Sequence, residues 1–196
     1  MPVTISGSGI TGIPAGGYPD QSVTADDLAT AIKLGETLQT KYATKTDVAT
    51  FSSINTFTDI AGLSVDITPS STDSKILILS TLCIVSHENY SWARIVKEIG
   101  GTTSALTDLT STSLQTSNSE TQFGNLYGVS TNTDNWCFQP TTFIGVHSPA
   151  TTSTITFKAQ FKIEGAYTAY LNRPHTGNDS SSGGRNVSTL IVSEIK

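Results

Sequence analysis

The segment closest to a chemical motif is Gly7-Ser8-Gly9-Ile10-Thr11-Gly12, which matches the GxGxxG spacing that cradles a pyrophosphate. That spacing works only where a strand leads in and a helix opens after it, so that backbone N–H groups point at the phosphate. Neither context is met. Only Val3 to Ile5 could form the strand, and Pro14, Gly16 and Gly17 forbid a helix after the third glycine. These glycines suit an extended arm whose backbone lies close against a partner.

Other reactive groups are few and badly spaced for chemistry. His87, His147 and His175 are the only histidines; they lack HxxxH or HxH spacing for a metal, and no GxSxG elbow supplies a nucleophile. His87 and His175 fall in expected turns and His147 at a strand end, where a hydrogen-bonded or solvent-facing imidazole is the ordinary finding. Cys83 and Cys137 lie in expected strands with no CxxC spacing, as small buried hydrophobes do. The carboxylates are scattered and give no sign of the pair that glycoside hydrolysis needs. No catalytic residue, cofactor or metal site is expected, and the chain reads as a non-enzyme.

Composition narrows the partners. Charged residues are 14% of the 196 and the net charge is -5, so there is no basic footprint for nucleic acid. The longest apolar run, Ile76 to Val85, is interrupted by Ser80 and Thr81 and falls well short of the roughly 18 residues of a membrane span. No membrane insertion is expected. The N-terminus lacks the basic and apolar regions of an export signal. The length suits one well-buried domain with an appendage.

Three regions follow along the chain. Residues 1 to 22 read as an extended Gly-rich anchoring arm, with Ile5, Ile10 and Ile13 as its apolar contacts. Residues 23 to 56 read as short helices and linker. Thr24-Ala-Asp-Asp27 has capping-box form, Val23 can staple onto Leu28, and Leu28, Ala31 and Ile32 make one stripe. Thr44-Lys-Thr-Asp47 repeats the signal ahead of a shorter helix carrying Val48 and Phe51. Two roles stay open for these helices: packing back on their own domain, or packing on identical helices or a docking surface.

Residues 57 to 196 change to period 2 and predict a β-sandwich. In 152 to 163, Ile155, Phe157, Ala159, Phe161 and Ile163 fall on one side and Thr154, Thr156, Lys158, Gln160 and Lys162 on the other. Residues 136 to 146 place Trp136, Phe138, Ile144 and Val146 on one face, with Pro140 at a bulge or edge. Tyr90, Trp92 and Val96 do the same in the strand after the expected Ser86 to Asn89 turn. Leu190 and Val192 oppose Val187, Ile191 and Ile195 in the last strand. At least seven or eight strands joined by polar turns predict a mainly β, antiparallel sandwich of jelly-roll type, preceded by the arm and two short helices.

Residues 75 to 86 stand apart, because Ile76, Ile78, Leu82 and Ile84 share one face while Leu77, Leu79, Cys83 and Val85 share the other. A strand apolar on both sides is covered by a loop or buried against another subunit, and the subunit contact is favoured. Leu77, Leu79, Leu82 and Ile84 are thus the candidate interface. Of two polar loops, 164 to 185 carries Tyr167, Tyr170, Arg173 and His175 as a candidate partner-binding set, aromatic contact area amid adaptable Ser, Gly and Asn. The other, 101 to 122, is mostly Thr, Ser and Leu. Either loop can also be a plain connection.

Four segments stand out: Thr4-Ile-Ser-Gly-Ser-Gly-Ile-Thr-Gly-Ile-Pro, Val65-Asp-Ile-Thr-Pro-Ser-Ser-Thr-Asp-Ser-Lys-Ile-Leu-Ile, the Ser148-Pro-Ala-Thr-Thr-Ser-Thr-Ile-Thr-Phe-Lys hairpin, and Leu190-Ile-Val-Ser-Glu-Ile. Together they resemble the small fibre and appendage proteins of tailed bacteriophages, notably cyanobacterial and environmental ones. The resemblance implies a homotrimeric, non-enzymatic virion component assembled in the bacterial cytoplasm, anchored by its arm and displaying its β-domain. Its implied partners are itself, other virion proteins and a host surface glycan or receptor. No extended shaft separates arm from head, unlike in long fibres, so a capsid decoration (cement) role fits the same pattern. A lectin-like glycan-binding module is a further alternative.

Overall fold

The cleanest alternating segment of the sequence becomes the centre of the fold. Its five apolar side chains, Ile155, Phe157, Ala159, Phe161 and Ile163, are all fully buried in one strand. The computed structural model describes residues 4–6, 9–11, 36–52, 56–86, 91–111, 123–125, 140–163, 168–174 and 185–196. Their strands, in chain order, are β1 (Thr4–Ser6), β2 (Gly9–Thr11), β3 (Thr37–Lys45), β4 (Ala49–Ser52), β5 (Thr58–Ile67), β6 (Lys75–Ser86) and β7 (Ser91–Ile99). There follow β8 (Thr102–Ala105), β9 (Leu109–Ser111), β10 (Phe123–Asn125), β11 (Pro140–His147), β12 (Ile155–Ile163), β13 (Thr168–Leu171) and β14 (Ser188–Ile195). The chain is mainly β and antiparallel, with no helix among the described residues.

Two compact units divide at Glu36. In the first, β1 and β2 pair antiparallel with Ile5 opposite Ile10. Within the expected extended arm, Thr4–Ser6 and Gly9–Thr11 therefore form a two-stranded ladder in which Gly9 is a strand residue. Ile13 and the helix expected from Thr24 lie outside the described residues.

The second unit holds two sheets. One is five-stranded, ordered β10-β7-β12-β5 with β8 on β7; the other is seven-stranded, ordered β3-β14-β6-β11-β9, with β13 pairing β6 and β4. Ile60, Leu63, Val65, Ile95 and Phe157 from the first sheet meet Ile76, Ile78, Leu82, Ile84, Phe143, Leu190 and Val192 from the second in one buried core. Each such side chain contributes about 1.5–3 kcal/mol relative to exposure.

Four expectations are corrected here. The helix expected after Thr44 is absent: Thr44 and Lys45 end β3, and Phe51 lies in β4 with its ring 5.1 Å from that of Phe161. A capping signal is worth about 1 kcal/mol, and it yields to the ladder that β3 forms with β14 from Ser188↔Lys45 to Ile195↔Thr37. The β-unit consequently begins at Thr37 rather than at residue 57. Segment 101 to 122 is not simply a loop, since it contains β8 and β9. The expected hairpin after Ser148 instead crosses between sheets: β11 pairs with β6 and β9, and β12 with β5 and β7. Trp92 and Val96 share one face of β7, as the period predicts, and it is the face opposite Ala93 and Ile95.

Beside β6, strands β13 and β14 meet end to end and leave a gap in the ladder at Cys83. Asn172, fully buried with φ of 61°, fills it. Its backbone N–H donates to Cys83 O, its Nδ2 donates to Lys45 O and Asp47 O, and its Oδ1 accepts from Ser188 Oγ, which itself accepts from Cys83 N–H. Asn tolerates this left-handed conformation better than most residues, and the interrupted strand keeps its buried backbone groups paired.

Candidate interaction surfaces

The outward faces of the two sheets differ in chemistry. On the five-stranded sheet, Asp59 and Asp66 of β5, Arg94 and Glu98 of β7, and Lys158 and Lys162 of β12 face outward. Lys158 bridges Glu98 at 2.8 Å and Asp59 at 3.3 Å. The Arg94 guanidinium stacks 3.9 Å from the Phe57 ring centre and Lys162 Nζ lies 4.8 Å from that of Trp92. Paired charges of this kind make a solvated face.

Across β3, β14, β6 and β11 the outward face of the seven-stranded sheet is apolar, with one charge at its corner, Lys75. Register across β3, β14, β6 and β11 puts Tyr42, Ile191, Leu79 and Ile144 in one row, and Thr40, Ser193, Leu77 and Val146 in the next. Tyr42 is 73% exposed, Ile144 49%, Val146 45%, Leu38 38% and Leu79 37%. Together these leave on the order of 400 Å² of apolar surface in water, at the scale of the largest patch on a typical monomer. Tyr170 lies opposite Val85 on this same face, and Arg173 stacks on it with Cζ 4.1 Å from the ring centre.

Two buried polar clusters are closed by their own bonds. His147 at the end of β11 has Nδ1 2.6 Å from Asp108 Oδ2 and Nε2 2.9 Å from Lys97 Nζ. An ammonium can only donate, so Nε2 accepts and Nδ1–H donates to Asp108. The lone pair that a general base would offer to a nucleophile is therefore occupied. The cluster joins β7, β11 and the β8–β9 connection. Gly145 admits that connection, since a Cβ there would lie 2.6 Å from Asp108 O.

Glu194, fully buried on β14, accepts at Oε1 from Ser70 N–H, Ser70 Oγ and Ser74 Oγ, and at Oε2 from Gln39 Nε2, at 2.6–2.7 Å. Burial alone would raise its pKa; the bonds from Gln39, Ser70 and Ser74 outweigh burial and bring it down to about 2. The carboxylate pins the β5–β6 turn to the edge of the seven-stranded sheet. Among the described residues, no group of three His, Cys, Asp or Glu could hold a metal ion.

The residues expected to act are distributed as follows. Leu77 and Leu79 do lie on the outward face, but Leu82 and Ile84 are core residues of their own domain and leave the candidate interface. Tyr170 belongs to β13 rather than to a loop and is brought against Arg173; Tyr167 and His175 lie outside the described residues. Tyr42 and Leu38 were not anticipated, because they lie between the two capping signals at Thr24 and Thr44, in what read as linker. The Asp108, His147 and Lys97 cluster and the Glu194 cluster had no local signal, since their members are joined only by folding.

No family model matches the chain, and no curated protein matches it by sequence. Among solved structures, it is similar to the VP2 subviral particle of infectious bursal disease virus, at 12% identity and a TM-score of 0.39. That alignment covers 82% of this chain and 38% of the viral one, so this chain spans well under half of its length.

Proposed function

We propose that this chain is a non-enzymatic structural component of a tailed-phage virion, a short self-associating appendage anchored by its N-terminal unit and displaying a jelly-roll β-domain. The observation that carries the reading is a contrast: the titratable clusters are closed by internal bonds, while an apolar sheet face is left open to a partner. That pattern suits an interaction protein rather than a catalyst.

Strand order supports the jelly roll. Sheet orders β3-β14-β6-β11 and β10-β7-β12-β5 arise when the chain passes from one sheet to the other at β5, β6 and β7, returns at β11, and crosses again at β12 and β14. Of these eight strands taken in chain order, only the successive β7 and β10 lie in the same sheet, as in a double Greek key. The fold does not choose a function by itself; the resemblance of the four sequence segments to phage appendage proteins supports the virion placement and self-association.

Mass spectrometry of purified particles and a low-resolution map of them test the reading. The chain is expected at a few copies on the tail, and deleting residues 1 to 22 should leave the β-domain folded while abolishing incorporation. Hundreds of copies on the shell would mean a decoration role instead. A chain absent from particles, or a truncated one that still enters them, overturns the proposal.

A further inference from the structure

The outward rows of the seven-stranded sheet can be assigned an occupant, an inference that rests on the self-associating reading above. Among outward side chains of β3, β14, β6 and β11, from Leu38 to Thr44, Thr189 to Ile195, Lys75 to Val85 and Pro140 to Val146, the single charged one is Lys75, at a corner. Its Nζ is turned to Ser148 Oγ at 2.8 Å. A charged partner surface laid on this face would lose hydration without gaining a counter-charge. A copy of the same face brings only its own corner Lys75.

Two pairs of hydroxyls on this face are bonded to each other along the sheet. Thr40 Oγ1 lies 2.9 Å from Ser193 Oγ, and Thr81 Oγ1 lies 3.3 Å from Thr142 Oγ1. Hydroxyls that bond each other lose little when water leaves. Extent also fits: four strands about 4.8 Å apart and about eight residues long give roughly 500 Å² in projection, commensurate with the ~800 Å² of accessible surface per partner in a standard interface. The opposite sheet, laced with Lys158, Glu98 and Asp59, offers no such surface.

We propose that the face bearing Tyr42, Ile191, Leu79 and Ile144 is the self-association surface of this protein, covered by the same face of a second copy. Size-exclusion chromatography with light scattering on the full chain at micromolar concentration reads the mass directly. The expected result is twice 20.7 kDa, since a face covered by its own copy closes as a two-fold contact, and three copies joined through unlike patches would overturn it. Leu79→Asp and Ile144→Asp should each weaken association at least tenfold and yield a 20.7 kDa species with unchanged circular dichroism. Tyr42→Asp, on an edge strand and mostly exposed, is the further variant if either fails to fold. Thr156→Asp on the opposite sheet should leave the mass unchanged.

A wild-type monomer, or an oligomer that survives the folded Asp variants, overturns the inference. A monomer that still enters particles overturns it while leaving the structural role standing. An oligomer broken by these substitutions but absent from particles supports the face and overturns the virion reading instead.

Discussion

Replacing Glu194 by Gln tests whether the buried carboxylate is a structural pin. Volume is kept and charge is lost. The Gln oxygen can take over the three bonds now made at Oε1, but the amide nitrogen then meets Gln39 Nε2, donor against donor. Turning Gln39 over relieves that clash and forfeits its 2.8 Å bond to Thr68 O. Loss of charge-assisted bonds and one unsatisfied group place the cost at about 2–4 kcal/mol. An independent route gives a similar figure. The carboxyl falls from 4.5 to about 2 on folding, and that depression corresponds to roughly 3 kcal/mol of stability. Because the folded pKa is the lower one, this stability is fully present above about pH 4.5 and is lost as pH falls toward 2. Urea unfolding of wild type and Glu194→Gln at pH 7, 5, 4 and 3 isolates the effect, since other carboxylates cancel in the difference. The gap should be near 3 kcal/mol at pH 7 and shrink steadily below pH 4.5. A gap under about 0.5 kcal/mol at pH 7, or one that does not narrow in acid, would refute the reasoning.

Two further substitutions probe how the sheets are closed. Gly145→Ala should lower stability by about 1–3 kcal/mol, because its Cβ would lie 2.6 Å from Asp108 O and 2.9 Å from Leu109 Cα, both backbone atoms. The midpoint of a thermal melt should drop by several degrees, and an unchanged melt would mean that β9 yields freely. Asn172→Ala should destabilise more than Asn172→Gly by about 1–2 kcal/mol, since both lose the bonds to Lys45 O and Asp47 O but only Ala resists a φ of 61°. Equal denaturation midpoints for the two variants would show that the backbone conformation carries none of the cost.

How much of this was legible in the sequence depended on whether the signal was local. Period 2 is local, so residues 155 to 163 announced a half-buried strand, and their inward set is the centre of the core. The doubly apolar run of β6 likewise announced a strand with apolar side chains on both faces. What the run could not say was which face is inward. Ile76, Ile78, Leu82 and Ile84 became core because β11 and β14 flank them with Phe143, Leu190 and Val192 on the same side, leaving Leu77 and Leu79 outward. Capping signals are local too, and at Thr44 they misled. The alternative, pairing with a strand near the other end of the chain, is written in no short window. Gln39 with Glu194, Asp108 with His147, and Asn172 with Ser188 and Lys45 depend on the same kind of distant pairing. Alternation along one strand fixes which side chains share a face; only the collective closure of two sheets decides which face is buried, which polar groups meet, and which apolar row remains for a partner.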